Sequence, residues 1–160
     1  MIASESFILT PFERLRFLVI DDDRAILELV DALLRASGAA GVTRSTSCLG
    51  ALNILADKTK RADCIVCDNS MPNMTGLELL RDIRSAKYEH VPPDMRFVMI
   101  TAHGQEEVVR AAIGLDVSGY LVKPVSKDAL TKAVQRAFGR RPLELKSPAD
   151  YAAIPLPPDI

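Results

Sequence analysis

Side chains suited to phosphoryl chemistry stand directly after short apolar runs of this sequence. The residues that share this position are Asp21, Asp22, Asp23, Asp68, Thr101 and Lys123. Clustered carboxylates favour a hard divalent cation, and Mg²⁺ suits a site with few protein ligands and several waters. A carboxylate can attack phosphorus to form an acyl phosphate, while an ammonium and a hydroxyl neutralise and hold the phosphoryl oxygens. The residue types therefore predict Mg²⁺-dependent phosphoryl transfer if the fold brings them together.

The apolar runs before these residues are typical of buried strands. They comprise residues 17–20, 42–45, 64–67, 97–100 and 120–122. Segments with helical spacing separate them, and this alternation is typical of an α/β fold with a parallel sheet covered on two faces. Ligands of such sheets bind at the carboxyl ends of the strands. The polar residues are therefore predicted to meet at one edge of the sheet.

Several helices are predicted from capping residues and apolar periodicity. Thr75 and Glu78 have the spacing of a capping box. Ser126 is a good N-cap for the last helix, and Asp23 lies where a carboxylate suits the helix dipole. A second helix is predicted over residues 49–57, with the inward residues Leu52, Leu55 and Ala56.

Short motifs follow the strands in a fixed order. They are Asp21-Asp22, Asp68 with Met71-Pro72 and Gly76, Thr101-Ala102, and the run from Gly119 to Pro124. In this order and at these strand ends they resemble the receiver domain of bacterial two-component response regulators, over about residues 16–139. The resemblance implies a flavodoxin-like, doubly wound (βα)5 fold whose parallel strands take the order 2-1-3-4-5.

The resemblance also assigns the acidic residues. Asp68 resembles the phosphoacceptor of the family, and it would also contact the metal. Asp21 and Asp22 resemble the pair that holds Mg²⁺. Ser70 would add its backbone carbonyl to the metal, so that its side chain is not constrained by this role.

The resemblance implies a conformational switch as well. Thr101 and Lys123 resemble the residues that contact the phosphoryl oxygens, and Tyr120 resembles the aromatic side chain that turns inward when the threonine moves. The Lys-Pro bond of the family is usually cis, which is expected here between Lys123 and Pro124. The implied donor is a sensor histidine kinase or a phosphotransfer protein, and the implied output is a change in binding to a downstream protein.

Composition narrows the function classes. Twenty basic and twenty-one acidic residues leave a net charge of -1, so no global field attracts nucleic acid or an anionic membrane. No apolar run is long enough to span a bilayer. The three cysteines cannot all pair, which favours the reducing cytoplasm. Cys64 and Cys67 fall on opposite faces of a strand, so core packing is favoured over a redox or zinc site.

The domain layout is predicted as an N-terminal extension over 1–15, a receiver domain over 16–139 and a Pro-rich tail over 140–160. The tail is too short for an effector domain, so a single-domain regulator is expected, with protein contact or phosphate relay as its output. Disorder of the tail is favoured over docking. Arg140-Arg141 is expected to be a solvated helix end, and homodimer formation is left open.

Several alternatives remain at this point. The protein could be a phosphate sink or a relay intermediate instead of a signalling output. A haloacid-dehalogenase-like phosphatase is suggested by Asp21-x-Asp23 but lacks an acidic pair after Lys123 and gives Asp68 no role. Single strand-end aspartates can also be mere solvated loop residues, and Tyr120 can be a half-buried core residue. Apart from its own phosphorylation and dephosphorylation, no enzymatic activity is expected.

Overall fold

A single parallel sheet forms the centre of the computed structural model, which describes residues 12–102, 105–139 and 144–158. Its strands are β1 (Arg16–Ile20), β2 (Gly41–Ser45), β3 (Cys64–Asp68), β4 (Arg96–Thr101) and β5 (Gly119–Val122). They pair in the order β2-β1-β3-β4-β5, and every pairing is parallel. The predicted fold class and strand order are confirmed.

Helices follow each strand, and one more lies near the end of the described chain. They are α1 (Arg24–Ala36), α2 (Cys48–Ala56), α3 (Gly76–Arg84), α4 (Glu106–Gly114), α5 (Lys127–Gly139) and α6 (Pro148–Ala152). A short 3₁₀ turn over Phe12–Arg14 precedes the first strand. The alternation of strands and helices places the carboxyl ends of all five strands at one edge.

The sheet separates two apolar cores, because successive side chains of a strand point to opposite faces. Phe17 and Val19 belong to the core covered by α1 and α5. Leu18 and Ile20 belong to the core covered by α2, α3 and α4. Cys64 and Cys67 likewise lie in different cores, which confirms that they are packing residues on opposite faces of β3.

The predicted helix caps are present. Asp23 is the N-cap of α1, and its side chain accepts a hydrogen bond from the backbone N–H of Ala25. Thr75 and Glu78 form the reciprocal capping box that begins α3. Ser126 Oγ accepts from the backbone N–H of Ala129 at 3.2 Å. These caps fix the first residue of the helices that follow β1, β3 and β5.

The prediction for the inward face of α2 is partly wrong. Ala51 and Cys48 are the buried residues of this helix, while Ala56 is exposed. Ala56 lies five residues after Ala51, which places it about 140° around the helix from the buried face. Leu52 and Leu55 are partly buried against the core, as expected.

The expectation of a disordered tail is wrong for residues 144–158. The Ser147 side chain accepts from the backbone N–H of Asp150 and caps α6, and Pro148 lies in the first turn of this helix. Serine followed by proline is a typical helix start, but the high proline content of the tail leads to the prediction of disorder. Tyr151 is fully buried. The expectations for Arg140-Arg141 and for residues 1–11 lie outside the described residues.

Candidate functional site

Three carboxylates converge at the carboxyl edge of the sheet. Asp21 and Asp22 follow β1, and Asp68 ends β3, its neighbour in the sheet. One carboxylate oxygen from each of the three lies within 4.8 Å of the other two. Asp21 and Asp68 are buried, whereas Asp22 is exposed. The structure therefore brings together the acidic residues that the sequence singles out, with one side open to solvent.

Lys123 reaches this cluster from the end of β5. Its Nζ lies 3.2 Å from Asp68 Oδ1 and 3.8 Å from Asp21 Oδ2. The backbone N–H of Lys123 donates to the carbonyl of Thr101 at 2.9 Å, which continues the pairing of β4 with β5 past the end of the ladder. The bond to Pro124 is cis, as expected. The solvated-loop alternative is thus wrong for Asp21 and Asp68.

The charges of the site are not balanced. Burial is the main cause that raises the pKa of Asp68 to about 6, and the charge of Asp21 adds to it, while Lys123 opposes it. Burial also raises the pKa of Asp21. The pKa of Lys123 is lowered by burial but raised more by Asp68 and Asp21, so its ammonium stays charged. Positive charge added at this site would stabilise both buried carboxylates.

Two buried oxygens at the site have no hydrogen-bond partner among the described residues. They are Asp21 Oδ2 and Thr101 Oγ1. The other Asp21 oxygen accepts from the backbone N–H of Asp23 at 2.9 Å. A buried carboxylate oxygen with open lone pairs, beside two further carboxylates, fits a hard cation such as Mg²⁺. A buried hydroxyl without a partner fits a donor that awaits a phosphoryl oxygen.

Asn69 holds the loop between β3 and α3 through its side chain and its backbone carbonyl. Asn69 Oδ1 accepts from the backbone N–H of Leu77 at 3.0 Å, and the Asn69 carbonyl accepts from Gly76. A Cβ on Gly76 would lie 2.7 Å from the Asp68 carbonyl oxygen, so only glycine allows α3 to begin this close to β3. Ser70 lies exposed in this loop, and the role of its carbonyl stays a prediction.

The remaining predicted residues lie around this centre. Thr101 is buried at the end of β4, and Tyr120 on β5 is 45% exposed and belongs to neither of the two cores. Its role as a switch stays a prediction. Asp23 is occupied as a helix cap. His103 lies outside the described residues, and His90 is exposed.

Sequence reasoning missed the buried Arg84 at the end of α3. Its guanidinium donates to the carbonyls of Leu115, Pro93, Met95 and Asp116 at 2.6–3.0 Å. It thereby ties α3 to the loop before β4 and to the end of α4. A basic residue in a last helical turn is usually solvated and favourable to the dipole, so no signal in the sequence marks this one as buried.

The strand order and the site define a doubly wound α/β domain with an acidic cluster at the carboxyl edge of its sheet, and sequence comparison identifies its family. The profile of the response regulator receiver domain matches residues 17–135. The chain therefore belongs to the response regulator receiver domain family of two-component signalling.

The similar curated proteins are longer than this chain, and the matched region covers only part of each of them. The transcriptional regulatory protein FixJ of Azorhizobium caulinodans is 37% identical over 122 residues, which cover 76% of this chain and 54% of that protein. The transcriptional regulatory protein GlrR of Escherichia coli K12 is 33% identical over 132 residues, which cover 82% of this chain and 27% of that protein. The chain thus spans about half and about a quarter of these relatives.

Solved structures agree with the fold. A response regulator receiver domain protein from Clostridium thermocellum superposes with a TM-score of 0.69 at 29% identity, covering 78% of this chain and 94% of that one. Within residues 12–102, 105–139 and 144–158, none of the helices has the length and apolar character needed to cross a bilayer.

Proposed function

We propose that Asp68 accepts a phosphoryl group from a phosphohistidine of a sensor histidine kinase or a phosphotransfer protein, and that this modification changes the binding of a downstream protein. One observation carries the proposal: Asp68 lies in the same cluster as Asp21 and Asp22, with the Lys123 ammonium 3.2 Å away. The three unpaired thiols of the described chain are compatible with the cytoplasm as its place of action.

The chemistry needs positioning and charge neutralisation more than acid–base groups. An oxygen of the ionised Asp68 attacks the phosphorus, the phosphorus–nitrogen bond of the donor breaks, and the imidazole leaves with the bonding electrons and takes up a proton. Lys123 neutralises charge on the phosphoryl oxygens. Mg²⁺, held by Asp21, Asp22, Asp68 and the carbonyl of Ser70, would supply further positive charge beside the transferred group.

The switch follows from the open hydroxyl of Thr101. Its buried Oγ1 has no partner among the described residues and would donate to the new phosphoryl group. Movement of Thr101 would free space for Tyr120, which is exposed in this structure. A ligand that favours one of two arrangements shifts the population toward it, and the phosphoryl group acts here as such a ligand.

The surface that would change is formed by α4, β5 and α5. It carries the exposed apolar side chains of Ile113, Tyr120 and Val122. A cleft of about 470 Å³ beside it is lined by Tyr120, Ile113 and Arg136, among others. We infer that a downstream protein, or a second copy of the chain, binds this face in a phosphorylation-dependent manner.

The direct test compares Asp68→Asn with Asp128→Asn, an exposed aspartate on α5. Labelled acetyl phosphate should place a base-labile phosphoryl group on the wild type and on Asp128→Asn, only with Mg²⁺ present. The Asp68→Asn variant should stay unlabelled. Mg²⁺-dependent label that persists on Asp68→Asn would contradict the assignment. If the label is lost as expected, phosphotransfer profiling against the histidine kinases of the source organism would identify the donor.

The alternatives make different predictions. A phosphate sink or relay intermediate would exchange phosphoryl groups with its donors while its affinity for other proteins stays unchanged. A haloacid-dehalogenase-like phosphatase would turn over generic phosphate esters, with activity lost in Asp21→Asn and retained in Asp68→Asn.

A further inference from the structure

The C-terminal segment 144–158 packs onto the groove between α3 and α4. Arg81 on α3 donates from Nη1 to the carbonyl of Ile154 at 3.2 Å. Lys146 donates from Nζ to the carbonyl of Gly114, the last residue of α4, at 2.9 Å. Both helices therefore hold the segment, one at each of its ends.

Tyr151 is the anchor of this segment. Its side chain is fully buried in the core on the α3–α4 side of the sheet. Its hydroxyl donates to Asp116 Oδ2 at 2.7 Å and accepts from the backbone N–H of Lys146 at 3.2 Å. Asp116 has a left-handed φ of 54°, and the buried Arg84 holds its carbonyl. The tyrosine is therefore held by Asp116, which is itself fixed by the buried Arg84.

The far end of the segment reaches the loops of the candidate site. Leu156 and Pro158 line a cavity of about 200 Å³ together with Asn69, Ser70 and Gln105. Asn69 and Ser70 follow Asp68 directly, and Gln105 lies four residues after Thr101. Gln105 Oε1 is buried in this cleft with no partner among the described residues. The segment thus shares a cavity with residues that follow Asp68 and Thr101, the two positions that phosphorylation would affect.

We propose that the α3–α4 groove is a peptide-binding surface whose ligand is the chain's own segment 144–158, and that phosphorylation of Asp68 releases this ligand. The coupling rests on the proposed function. Segment and groove fit each other in an arrangement in which Thr101 Oγ1 has no hydrogen-bond partner within the described part of the chain and Tyr120 is exposed. When Thr101 moves toward a phosphoryl group, we expect Gln105 to move as well, so that the cavity it lines together with Leu156 and Pro158 no longer fits the segment.

The short length of α6 makes release of the segment feasible. The helix α6 has five residues, far below the length at which a helix persists alone in water. Its order therefore depends on the groove, and release of Tyr151 unfolds it. Because coupling between two sites is reciprocal, a segment that binds the unphosphorylated arrangement more tightly also weakens the binding of a phosphoryl group or its mimic.

Hydrogen exchange of the full chain tests the coupling, with Mg²⁺ and beryllofluoride as the phosphoryl mimic. The backbone N–H groups of Tyr151, Ala153 and Ile154 are hydrogen-bonded within the segment and should exchange slowly without the mimic. With the mimic bound they should exchange at least about fivefold faster, the lower end of typical couplings. Protection that is unchanged or increased overturns the proposal.

A variant pair tests the reciprocal effect. Tyr151→Ala should bind the mimic at least about fivefold more tightly than the wild type, whereas Ala152→Ser, exposed on the same helix, should not. Tyr151→Phe keeps the ring, loses only the hydroxyl and should shift the affinity in the same direction by less. It therefore replaces Tyr151→Ala if that variant fails to fold. Equal affinity in all three variants overturns the coupling.

Fluorine NMR of the bound mimic distinguishes a failure of the coupling from a failure of the phosphoacceptor assignment. A bound signal with no response of the segment refutes the coupling and leaves the phosphoacceptor assignment intact. The absence of a bound signal from the wild type and from Tyr151→Ala refutes both. Protection of the segment that rises with protein concentration would assign the groove to the tail of a second copy and overturn binding within one chain.

Discussion

Replacing Asp68 with asparagine is expected to stabilise the protein when no divalent cation is present. Burial and the charge of Asp21 raise the pKa of Asp68 from 3.8 to about 6. Because one pKa unit corresponds to about 1.36 kcal/mol, ionising this carboxyl costs the folded state up to about 3 kcal/mol. Asparagine resembles the protonated carboxyl in shape. At neutral pH the free energy of unfolding should therefore rise by about 1 to 3 kcal/mol, the lower value applying if Asp21 takes up part of the repulsion.

The same shift sets a pH dependence with a definite sign. The Asp68 carboxyl loses its proton near pH 3.8 in the unfolded chain and near pH 6 in the folded one. Between these values the folded state binds more protons, so the free energy of unfolding falls as the pH rises through this window. Above about pH 6 the loss is complete and constant. The stability gained by Asp68→Asn should accordingly grow from pH 4 to pH 6 and then level off.

Urea denaturation in the presence of a chelator measures both quantities. Circular dichroism is the suitable signal, since the chain has no tryptophan. Asp128→Asn is the matched control, because Asp128 forms an exposed pair with Lys132 and its substitution should change stability by less than about 0.5 kcal/mol. A variant at Asp68 that is no more stable than the wild type, or that shows the wild-type pH dependence between pH 4 and 6, would refute the charge argument.

Three further substitutions test other parts of the structure. Lys123→Met should strengthen Mg²⁺ binding severalfold in calorimetry, because it removes an ammonium 3.2 Å from Asp68; unchanged affinity would show that this ammonium does not repel a cation held by the carboxylates. Gly76→Ala should lower the free energy of unfolding by about 1 to 3 kcal/mol, since its Cβ would lie 2.7 Å from the Asp68 carbonyl oxygen; a neutral effect would show that α3 can shift. Arg84→Met should cost about 3 kcal/mol or more in the same urea assay, because it leaves buried carbonyls without a donor, and a smaller loss would mean that water replaces the guanidinium.

The strand ends were predictable because they follow from chain geometry. An apolar run of four residues followed by Asp68 or Thr101 has few interpretations once helices separate the runs. Parallel pairing then brings those ends to one edge, whatever the loops do. The caps at Asp23 and Thr75 were predictable for a similar reason, since a cap depends on residues two or three positions away.

Contacts between distant segments were not predictable in this way. Tyr151 meets Asp116 across 35 positions of the chain, and no local pattern relates the two. Arg84 has the sequence context of a solvated helix end, yet its acceptors are carbonyls of two loops whose paths the sequence does not reveal. The prolines after Arg141 indicate the absence of a long helix, which is correct for residues 144–158, but they do not indicate the absence of order. A short helix such as α6 forms only because a groove is present to receive it.

The site combines three features that would each be unfavourable in a purely structural role. Counting only hydrogen bonds from the residues that the structure describes, Asp21 Oδ2 and Thr101 Oγ1 are buried without a partner. Asp68 carries a carboxylate that burial disfavours. An apolar or neutral residue at any of these positions would remove a desolvation penalty of about 1 to 3 kcal/mol. A bound cation would stabilise the Asp21 oxygen and the Asp68 carboxylate, and a phosphoryl oxygen would accept a hydrogen bond from the Thr101 hydroxyl. The free energy lost by burying these groups is thus recovered when a cation and a phosphoryl group bind. Variants that keep the fold should therefore show a correlation, in which lower stability at this site goes with higher affinity for the cation or the phosphoryl group.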